Sequence, residues 1–191
     1  MLGDLITSKV RTKILGLFFS DPETMLHVRE IVRRLREEIN AVRRELSHLE
    51  KSGIVKKEPR ANRLYYRLNK SYPYYFDLLE INSKTQGLGL ALIKEQSKLG
   101  KIKFAMFSGA FIRGRVSSSD NVDLLVVGRI VLPELAALVR GEEAKRGHEI
   151  NYTVMSEEEF VFRKNRHDPF LTSILAGSRV MIIGDEEELV K

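Results

Sequence analysis

Segment 37–69 joins a helical pattern directly to a strand pattern, and this junction restricts the possible folds more than any other feature. In 37–53, apolar residues recur at intervals of three, four and three, which predicts one buried stripe along a helix. The stripe consists of Ile39, Val42, Leu46 and Leu49. Gly53 is suited to end this helix because glycine readily adopts a positive φ.

The stretch 54–69 changes to the alternation of a strand. Leu64, Tyr66 and Leu68 occupy every second position, which predicts two strands around a polar turn, "EPRAN", at residues 58–62. Because no linker separates the two patterns, the sequence predicts a helix followed at once by a β-hairpin.

Two further helices are predicted ahead of this junction. Segment 5–19 has helical apolar spacing, with Thr7 or Ser8 as its cap, and "SDPE" at 20–23 ends it. Residues 25–28 favour a short extended piece, and a second helix over 28–36 should bury one face. The apolar residues of the two helices are Leu5, Val10, Ile14, Leu17 and Phe18 in the first, and Ile31, Val32 and Leu35 in the second.

Positive charge is concentrated in this part of the chain. The whole chain has a net charge of +6, whereas residues 25–70 alone contain 13 basic and six acidic residues. Such a cluster indicates a polyanion-binding surface, the plain alternative being a solvated basic face. The outer side of the third helix and the hairpin carry the candidate DNA-binding residues. These are Asn40, Arg43, Arg44, Ser47, His48, Lys51, Lys56, Lys57, Arg60, Asn62 and Arg63.

The segments "NAVRRELSHLEKSGIV" and "ANRLYYRLN" give residues 5–80 a resemblance to the winged helix-turn-helix regulators of the ArsR-like group. The resemblance implies double-stranded DNA as the partner, with the third helix in a groove and the hairpin as the wing. It also implies a homodimer, which the apolar helix predicted near 70–81 would form, unless that helix packs on its own domain. The cysteines or clustered acids and histidines of metal-sensing relatives are missing, so metal sensing is not expected.

The second half predicts a small α/β unit. Residues 82–87 are polar and read as a boundary between domains 1–82 and 88–191, and a helix should follow over 88–100. Buried strands are predicted at 101–107, 122–128 and 148–156, a loop with a turn of helix at 108–119, and a further strand at 179–184. Helices are predicted at 132–147, from 156 to 165 under a Ser156 cap, and at 170–177. The predicted fold class is therefore α+β in two domains, the second with a small mixed sheet.

Residues 88–190 resemble the minimal nucleotidyltransferases of the polymerase beta-like superfamily. The resemblance rests on Gly109-Ala110, a spacing of ten residues, and Asn121-Val122-Asp123, which leads into "VDLLVVG" at 122–128. It implies a nucleotide site at Ser108, Gly109, Arg113 and Asp123. The family has a serine where Ala110 stands and a metal carboxylate where Asn121 stands. Asp120 is off the strand face of Asp123 unless the strand bulges.

A magnesium site would therefore rest on Asp123 and Glu149, beside Asn151. No catalytic residue is predicted, and no cofactor is expected unless the second domain is active, in which case Mg²⁺ and a nucleotide would be required.

Two functional hypotheses follow from these patterns. The first is a dimeric DNA-binding transcriptional regulator whose degenerate nucleotidyltransferase-like domain senses a ligand or binds a protein. The second is an active nucleotidyltransferase of the antitoxin type that modifies RNA or protein. The chain has no cysteine, which predicts no disulfide, no thiolate metal site and a cytoplasmic location. Its four histidines are scattered without metal-ligand spacing. It has no long apolar run, so no membrane partner is expected.

Overall fold

The computed structural model describes residues 8–115 and 121–191, and its contacts divide the chain into two compact units. One unit ends at Thr85 and the other begins at Gln86. The chain mixes helices with two small sheets, of three and four strands. Ser117–Ser119 and Asp120 of the predicted polar loop lie outside the described residues, as do Leu5 and Thr7.

The first unit begins with helix α1, Lys9–Ser20, which Ser8 caps. The Ser8 hydroxyl accepts a hydrogen bond from the Arg11 backbone N–H, the usual device for an N-terminal donor that lacks an intrahelical acceptor. Ile14 and Phe18 are fully buried, whereas Leu17 and Val10 are half-buried. The helix thus confirms the predicted Ser8 cap.

The next elements are β1 (Leu26–His27), α2 (Val28–Leu35) and α3 (Ile39–Lys51). Ile31 is buried in α2, and Val42, Leu46 and Leu49 form the predicted buried stripe of α3. Gly53 has a φ of 78°, the positive value that a helix stop at this position requires. The three predicted helices are therefore present, with α3 starting two residues later than predicted because Glu38 caps it.

The hairpin consists of β2 (Val55–Arg60) and β3 (Arg63–Leu68). Its turn is shorter than the predicted "EPRAN", because Arg60 pairs directly with Arg63 and only Ala61 and Asn62 connect the strands. Pro59 can stand in β2 because the strand order is β1-β3-β2, so that β2 is an edge strand. Helices and hairpin follow one another in the order predicted for a winged helix-turn-helix.

The polar boundary predicted at 82–87 is mostly helical. Helix α4 covers Tyr75–Thr85, and Asn82 lies buried within it. The helix predicted at 88–100 is two helices, α5 (Gly87–Lys94) and α6 (Gln96–Leu99), with a break at Glu95. Leu99 at the end of α6 is fully buried in the core of the second unit.

The second unit is built on a mixed sheet of order β6-β5-β4-β7, in which only β5 and β6 are parallel. Its strands are β4 (Gly100–Ser108), β5 (Leu124–Ile130), β6 (Tyr152–Met155) and β7 (Arg179–Ile183). Its further helices are α7 (Gly109–Ile112), α8 (Leu132–Arg146), α9 (Glu157–Asn165), α10 (Pro169–Ala176) and α11 (Glu186–Val190). The predicted Ser156 cap is confirmed, and Pro133 stands in the first turn of α8.

Apolar side chains cover both faces of this sheet. Ile102, Ala105 and Phe107 of β4 belong to one core cluster, and Phe104 and Met106 belong to the other. Successive strand residues face opposite sides, so a strand between two cores is apolar nearly throughout. This explains the uninterrupted apolar runs that the sequence shows at 104–107 and 124–127.

Two predicted strand positions are wrong. Asp123 precedes β5, and residues 148–151 precede β6. The Ile150 N–H donates to the Glu143 carboxylate at 2.8 Å and the Asn151 N–H to that of Asp123 at 3.0 Å. These two amides are therefore used by side chains, and ladder pairing starts at Leu124 and Tyr152. In the described part of the chain, no helix combines the length and apolar character needed to cross a bilayer.

Candidate functional site

The outer face of α3 presents its predicted candidates to solvent. Its basic members are Arg43, Arg44 and Lys51, and the remaining ones are Asn40, Ser47 and His48, all of them exposed. Within residues 8–115 and 121–191, none of the three basic side chains forms an ion pair. Because the apolar stripe anchors the opposite side of the helix, this face is held outward with its hydrogen-bond donors accessible. Contact of these residues with DNA stays a prediction.

The carboxylate of Glu38, the residue that precedes α3, is engaged at the start of the helix. The Glu38 carboxylate caps the helix by accepting from the Ala41 N–H at 2.8 Å. Backbone hydrogen bonds from Asn40 and Ala41 lower the pKa of Glu38, and the Arg44 and Arg43 charges add to that effect. The outer face consequently carries a net positive charge.

The hairpin cations lie on two faces of the ribbon. Lys57 pairs across the strands with Tyr66, whereas Lys56 pairs with Arg67 and Arg60 with Arg63. Residues paired directly share a face and neighbours along a strand alternate, so Lys57 faces away from Lys56, Arg60 and Arg63.

Two of the hairpin candidates are engaged with carboxylates. Lys57 Nζ lies 2.7 Å from Glu50 of α3, and this hydrogen bond and charge raise the pKa of Lys57. Arg60 Nε lies 2.9 Å from Glu58, which is also 3.6 Å from Arg67. Lys56 and Arg63 have no carboxylate partner in the described part of the chain. The hairpin thus offers these two as its most available cations.

Tyr66 marks the place where α3 and the hairpin meet. Burial raises the pKa of the Tyr66 hydroxyl, as does the Glu50 charge, whereas the Lys57 and Arg43 charges oppose that shift. Arg43 of α3 also lines one cavity of about 510 Å³ together with Asn62, Arg63 and Tyr66 of the hairpin. The structure therefore brings a helix candidate and two hairpin candidates to one concave surface.

Two residues of this cavity were not predicted as site residues. They are His27, which caps α2, and Arg29 in the first turn of that helix. His27 Nδ1 accepts from the Glu30 N–H at 3.1 Å, and His27 Nε2 lies 3.4 Å from Arg63 Nη1. The remaining described lining residues, Val28 and Leu64, are apolar, so no carboxylate from residues 8–115 or 121–191 lines the cavity. The sequence signal that could have indicated His27 is its position between the extended piece predicted at 25–28 and the helix predicted over 28–36.

Glu30 is the acidic residue that lies nearest along the chain to His27 and Arg29, and its carboxylate is paired with two arginines. Hydrogen bonds from the guanidinium groups of Arg33 and Arg34 hold the pKa of Glu30 at about 2. Glu30 therefore remains ionised at neutral pH and is engaged with its own helix. Arg33 and Arg34 are correspondingly less available to an external anion.

In the second unit, the predicted nucleotide-site residues Ser108, Gly109 and Arg113 line a cavity of about 340 Å³ with Asn121. The Ser108 hydroxyl caps α7 by accepting from the Phe111 N–H at 3.2 Å, and Arg113 Nη1 donates to Ser178 Oγ at 3.1 Å. A side chain at position 109 would collide with Ser178, so glycine is needed for this close approach. These contacts hold the segment from Ser108 to Arg113 close to Ser178.

The predicted magnesium carboxylates, Asp123 and Glu149, differ in their burial. Asp123 is only 2 % exposed, and its carboxylate accepts from the Asn151 N–H. Glu149 is exposed and lies outside β6, so the strand face that it was expected to share with Asn151 does not exist. No group of three or more histidine or acidic residues suited to a metal occurs in 8–115 or 121–191. These donors do not fit a metal that prefers several accessible anionic oxygens.

Comparisons with known proteins give no family assignment. No family model matches the chain, and no curated protein matches it. Among solved structures, reduced HlyU from Vibrio cholerae N16961 is 21% identical, with 44% of this chain and 83% of that chain covered and a TM-score of 0.36. Human N-acetylserotonin methyltransferase in complex with SAM is 14% identical, with 51% and 32% covered and a TM-score of 0.31. Both TM-scores are too low to support a conclusion about this chain.

Proposed function

We propose that the chain is a DNA-binding transcriptional regulator whose first unit places α3 in the major groove of a duplex. Arg43, Arg44, Ser47 and His48 would face the base edges, where arginine can donate two hydrogen bonds to guanine. Backbone phosphates would be contacted from the hairpin, with Arg63 better suited than Lys57 or Arg60, because the latter two already hold carboxylates.

The observation that carries this proposal is the shared cavity of Arg43 and Arg63, to whose wall the described part of the chain contributes no carboxylate. A helix cation and a hairpin cation that open onto one surface can contact one duplex together. The charge balance of residues 25–70 supports the same partner, since phosphate contacts supply most of the non-specific affinity of such proteins.

The proposal is tested by selecting bound fragments from genomic DNA and measuring their affinity at several salt concentrations. Arg44→Ala should weaken binding to a selected fragment roughly tenfold or more, as the loss of a base contact typically does. Arg140→Ala is the matched control, because Arg140 is an exposed arginine of the second unit. Equal and weak binding of every fragment by wild type and Arg44→Ala would contradict sequence-specific recognition.

We further propose that the regulator is a homodimer. A single unit offers few phosphate contacts, and two copies on a repeated half-site supply the affinity that specific regulators require. The apolar side chains of Phe76 and Ile81 on α4 are 56% and 38% exposed and are suited to such an interface.

For the second unit, we propose a nucleotidyltransferase-like domain in a sensing or protein-binding role. The cavity beside Ser108 and Arg113 supports this role, since backbone amides and a guanidinium can hold phosphate oxygens. A nucleotide that binds here and alters DNA affinity must bind the DNA-competent and DNA-incompetent states unequally. Titrating nucleotides into the DNA-binding assay should therefore shift the affinity, and an unchanged affinity would argue against sensing.

The alternative, an enzyme that transfers a nucleotide to RNA or protein, is tested with Mg²⁺, labelled nucleotides and candidate acceptors. Labelling by wild type that Asp123→Ala abolishes would favour the enzyme. The burial of Asp123 against Asn151 favours the non-catalytic role.

A further inference from the structure

The orientation of the His27 ring fixes the position of its proton. Nδ1 accepts a hydrogen bond from the Glu30 backbone N–H at 3.1 Å, so Nδ1 carries a lone pair and no proton. A neutral imidazole has one N–H, which must then be on Nε2. The ring is also held in place by an edge-on contact with Tyr65, at 5.5 Å between centroids, next to the β1–β3 pairing of the same two residues.

Nε2 is close to a second donor. Arg63 Nη1 lies 3.4 Å away, and a guanidinium has no acceptor and does not lose its proton in proteins. Two N–H groups cannot bond to each other, so this contact is not a hydrogen bond. The Nε2–H of His27 and the Nη1–H of Arg63 can lie side by side favourably when a single acceptor group accepts a hydrogen bond from each of them.

The surroundings determine what that acceptor is. The adjoining cavity of about 510 Å³ is lined by His27, Arg29, Arg43 and Arg63, with the Asn62 amide and, among the residues that the structure describes, no carboxylate. Arg29 and Arg43 have no ion-pair partner in residues 8–115 and 121–191. Glu30, the nearest acid along the chain, is occupied by Arg33 and Arg34. A compact oxyanion with several acceptor oxygens, such as a phosphate group, fits these donors.

We propose that His27 and Arg63 form a clamp for one backbone phosphate of the DNA duplex at the edge of the hairpin, beside α3. The Nε2–H of His27 and the Arg63 guanidinium donate to the phosphate oxygens, while Arg29 supplies further positive charge. This proposal rests on the proposed DNA-binding function and adds a specific contact to it. Since His27 is neutral and Arg63 is charged, the two contacts differ in their dependence on salt.

Fluorescence anisotropy with a duplex, measured over a range of salt concentrations, separates the two contributions. Arg63→Gln should lower the affinity and reduce the slope of log affinity against log salt by about 0.9, the value for one phosphate charge neutralised. His27→Asn keeps an acceptor at the cap of α2 and removes the imidazole donor. It should lower the affinity roughly threefold to tenfold, as the loss of one hydrogen bond does, and leave the slope unchanged.

Because one phosphate accepts from both residues, the double variant should lose less affinity than the product of the two single losses. Fully multiplicative losses, or an unchanged slope for Arg63→Gln, would overturn the clamp. Far-UV circular dichroism of each variant checks that α2 is intact.

Inorganic phosphate provides a second, DNA-free readout. It should shift the His27 ring signals in NMR spectra of wild type and not those of Arg63→Gln. Tight duplex binding that is insensitive to both substitutions, together with no shift by phosphate, would remove the clamp and leave the regulator proposal standing. No duplex binding by wild type, together with a phosphate shift, would remove the regulator proposal and show a site for free phosphate.

Discussion

At the scale of single residues, the carboxylate of Glu45 is the buried charge that joins α1 to α3. One oxygen accepts from the Ser8 hydroxyl at 2.8 Å and the other from Arg11 Nε at 2.8 Å. Glu45 is 6% exposed, and a carboxylate at that depth is stable only with such partners. The helix that would contact DNA is thus held against α1 by polar as well as apolar contacts.

We predict that Glu45→Gln destabilises the first unit by about 1–3 kcal/mol, because the charged hydrogen bond to Arg11 is lost in a buried position. Glu23→Gln is the matched control: Glu23 forms an exposed pair with Lys70, and its loss should cost at most about 1 kcal/mol. Five of the six tyrosines lie within residues 65–75, so tyrosine fluorescence during urea unfolding reports mainly on the first unit. Equal losses in the two variants would contradict the role assigned to Glu45.

The same carboxylate predicts a pH dependence. Burial raises the pKa of Glu45, but the Ser8 and Arg11 hydrogen bonds and the Arg11 charge lower it by more, so it lies below the ordinary 4.5. A depressed folded pKa gives stability that is complete above the unfolded pKa and is lost as the pH falls through the folded pKa. The stability difference between wild type and Glu45→Gln should therefore be constant above about pH 5 and shrink progressively below pH 4.5. A difference that grows on acidification would contradict this sign.

Residue patterns predicted which α3 side chains are exposed but not which charges pair. Helical spacing is local, and it placed Arg43, Arg44 and Lys51 on the outer face as the structure has them. The Lys57–Glu50 and Glu45–Arg11 contacts join different elements, so no local pattern contains them. His27 escaped prediction for the same reason, since its neighbours Arg63 and Tyr65 are more than 35 residues away.

At the scale of elements, the hairpin turn contains Ala61, which has a positive φ like Arg36 and His167. Ala61 has a φ of 49°, a value that costs a side-chain-bearing residue about 1 kcal/mol and costs glycine little. A positive φ at the first position of a two-residue hairpin turn is typical of type II′, which favours glycine there. The turn is also the segment that carries Asn62 and Arg63 to the cavity.

We predict that Ala61→Gly stabilises the first unit by about 0.5–1 kcal/mol, because it relieves the left-handed strain. The same substitution at Ala41, inside α3, should instead destabilise it by about 1 kcal/mol, since glycine is a poor helix former. Urea unfolding followed by tyrosine fluorescence measures both changes. Two substitutions of identical chemistry should thus have opposite signs, and a shared sign would contradict the assigned backbone of the turn.

The type of nearly every element could be predicted from the sequence, whereas several boundaries could not. Apolar spacing identified α3, the hairpin and the strands β4 and β5 because each buries a continuous face. The failures at 58–62, 82–87 and 148–151 concern where elements begin and end, which apolar periodicity marks less clearly than their middles. At 148–151, the side chains of Glu143 and Asp123 take the backbone amides.

At the scale of the whole molecule, the positive charge belongs to the first unit and the cavity around Ser108 to the second. Each unit contains buried apolar side chains, such as Ile14 and Phe18 in the first and Leu99 and Phe107 in the second. This division matches a protein in which DNA contact and ligand or partner contact reside in different units, as we propose.

A dimeric regulator makes a prediction about stoichiometry. On a duplex that contains the selected site, sedimentation should give two protein chains per duplex, because each first unit occupies one half-site. Moving the half-sites apart by about half a helical turn should weaken binding strongly, since the two copies would then face opposite sides of the duplex. A single chain per duplex at saturation, with no effect of spacing, would contradict the dimer.

The most direct measurement compares Arg43→Ala and Lys56→Ala on two duplexes, one with the selected site and one with the same bases scrambled. If α3 reads bases and the hairpin contacts phosphates, Arg43→Ala should reduce the preference for the selected site by roughly tenfold or more. Lys56→Ala should weaken binding to both duplexes equally and leave that preference intact. An unchanged preference in Arg43→Ala, or a loss of preference in Lys56→Ala alone, would contradict recognition of DNA by the outer face of α3.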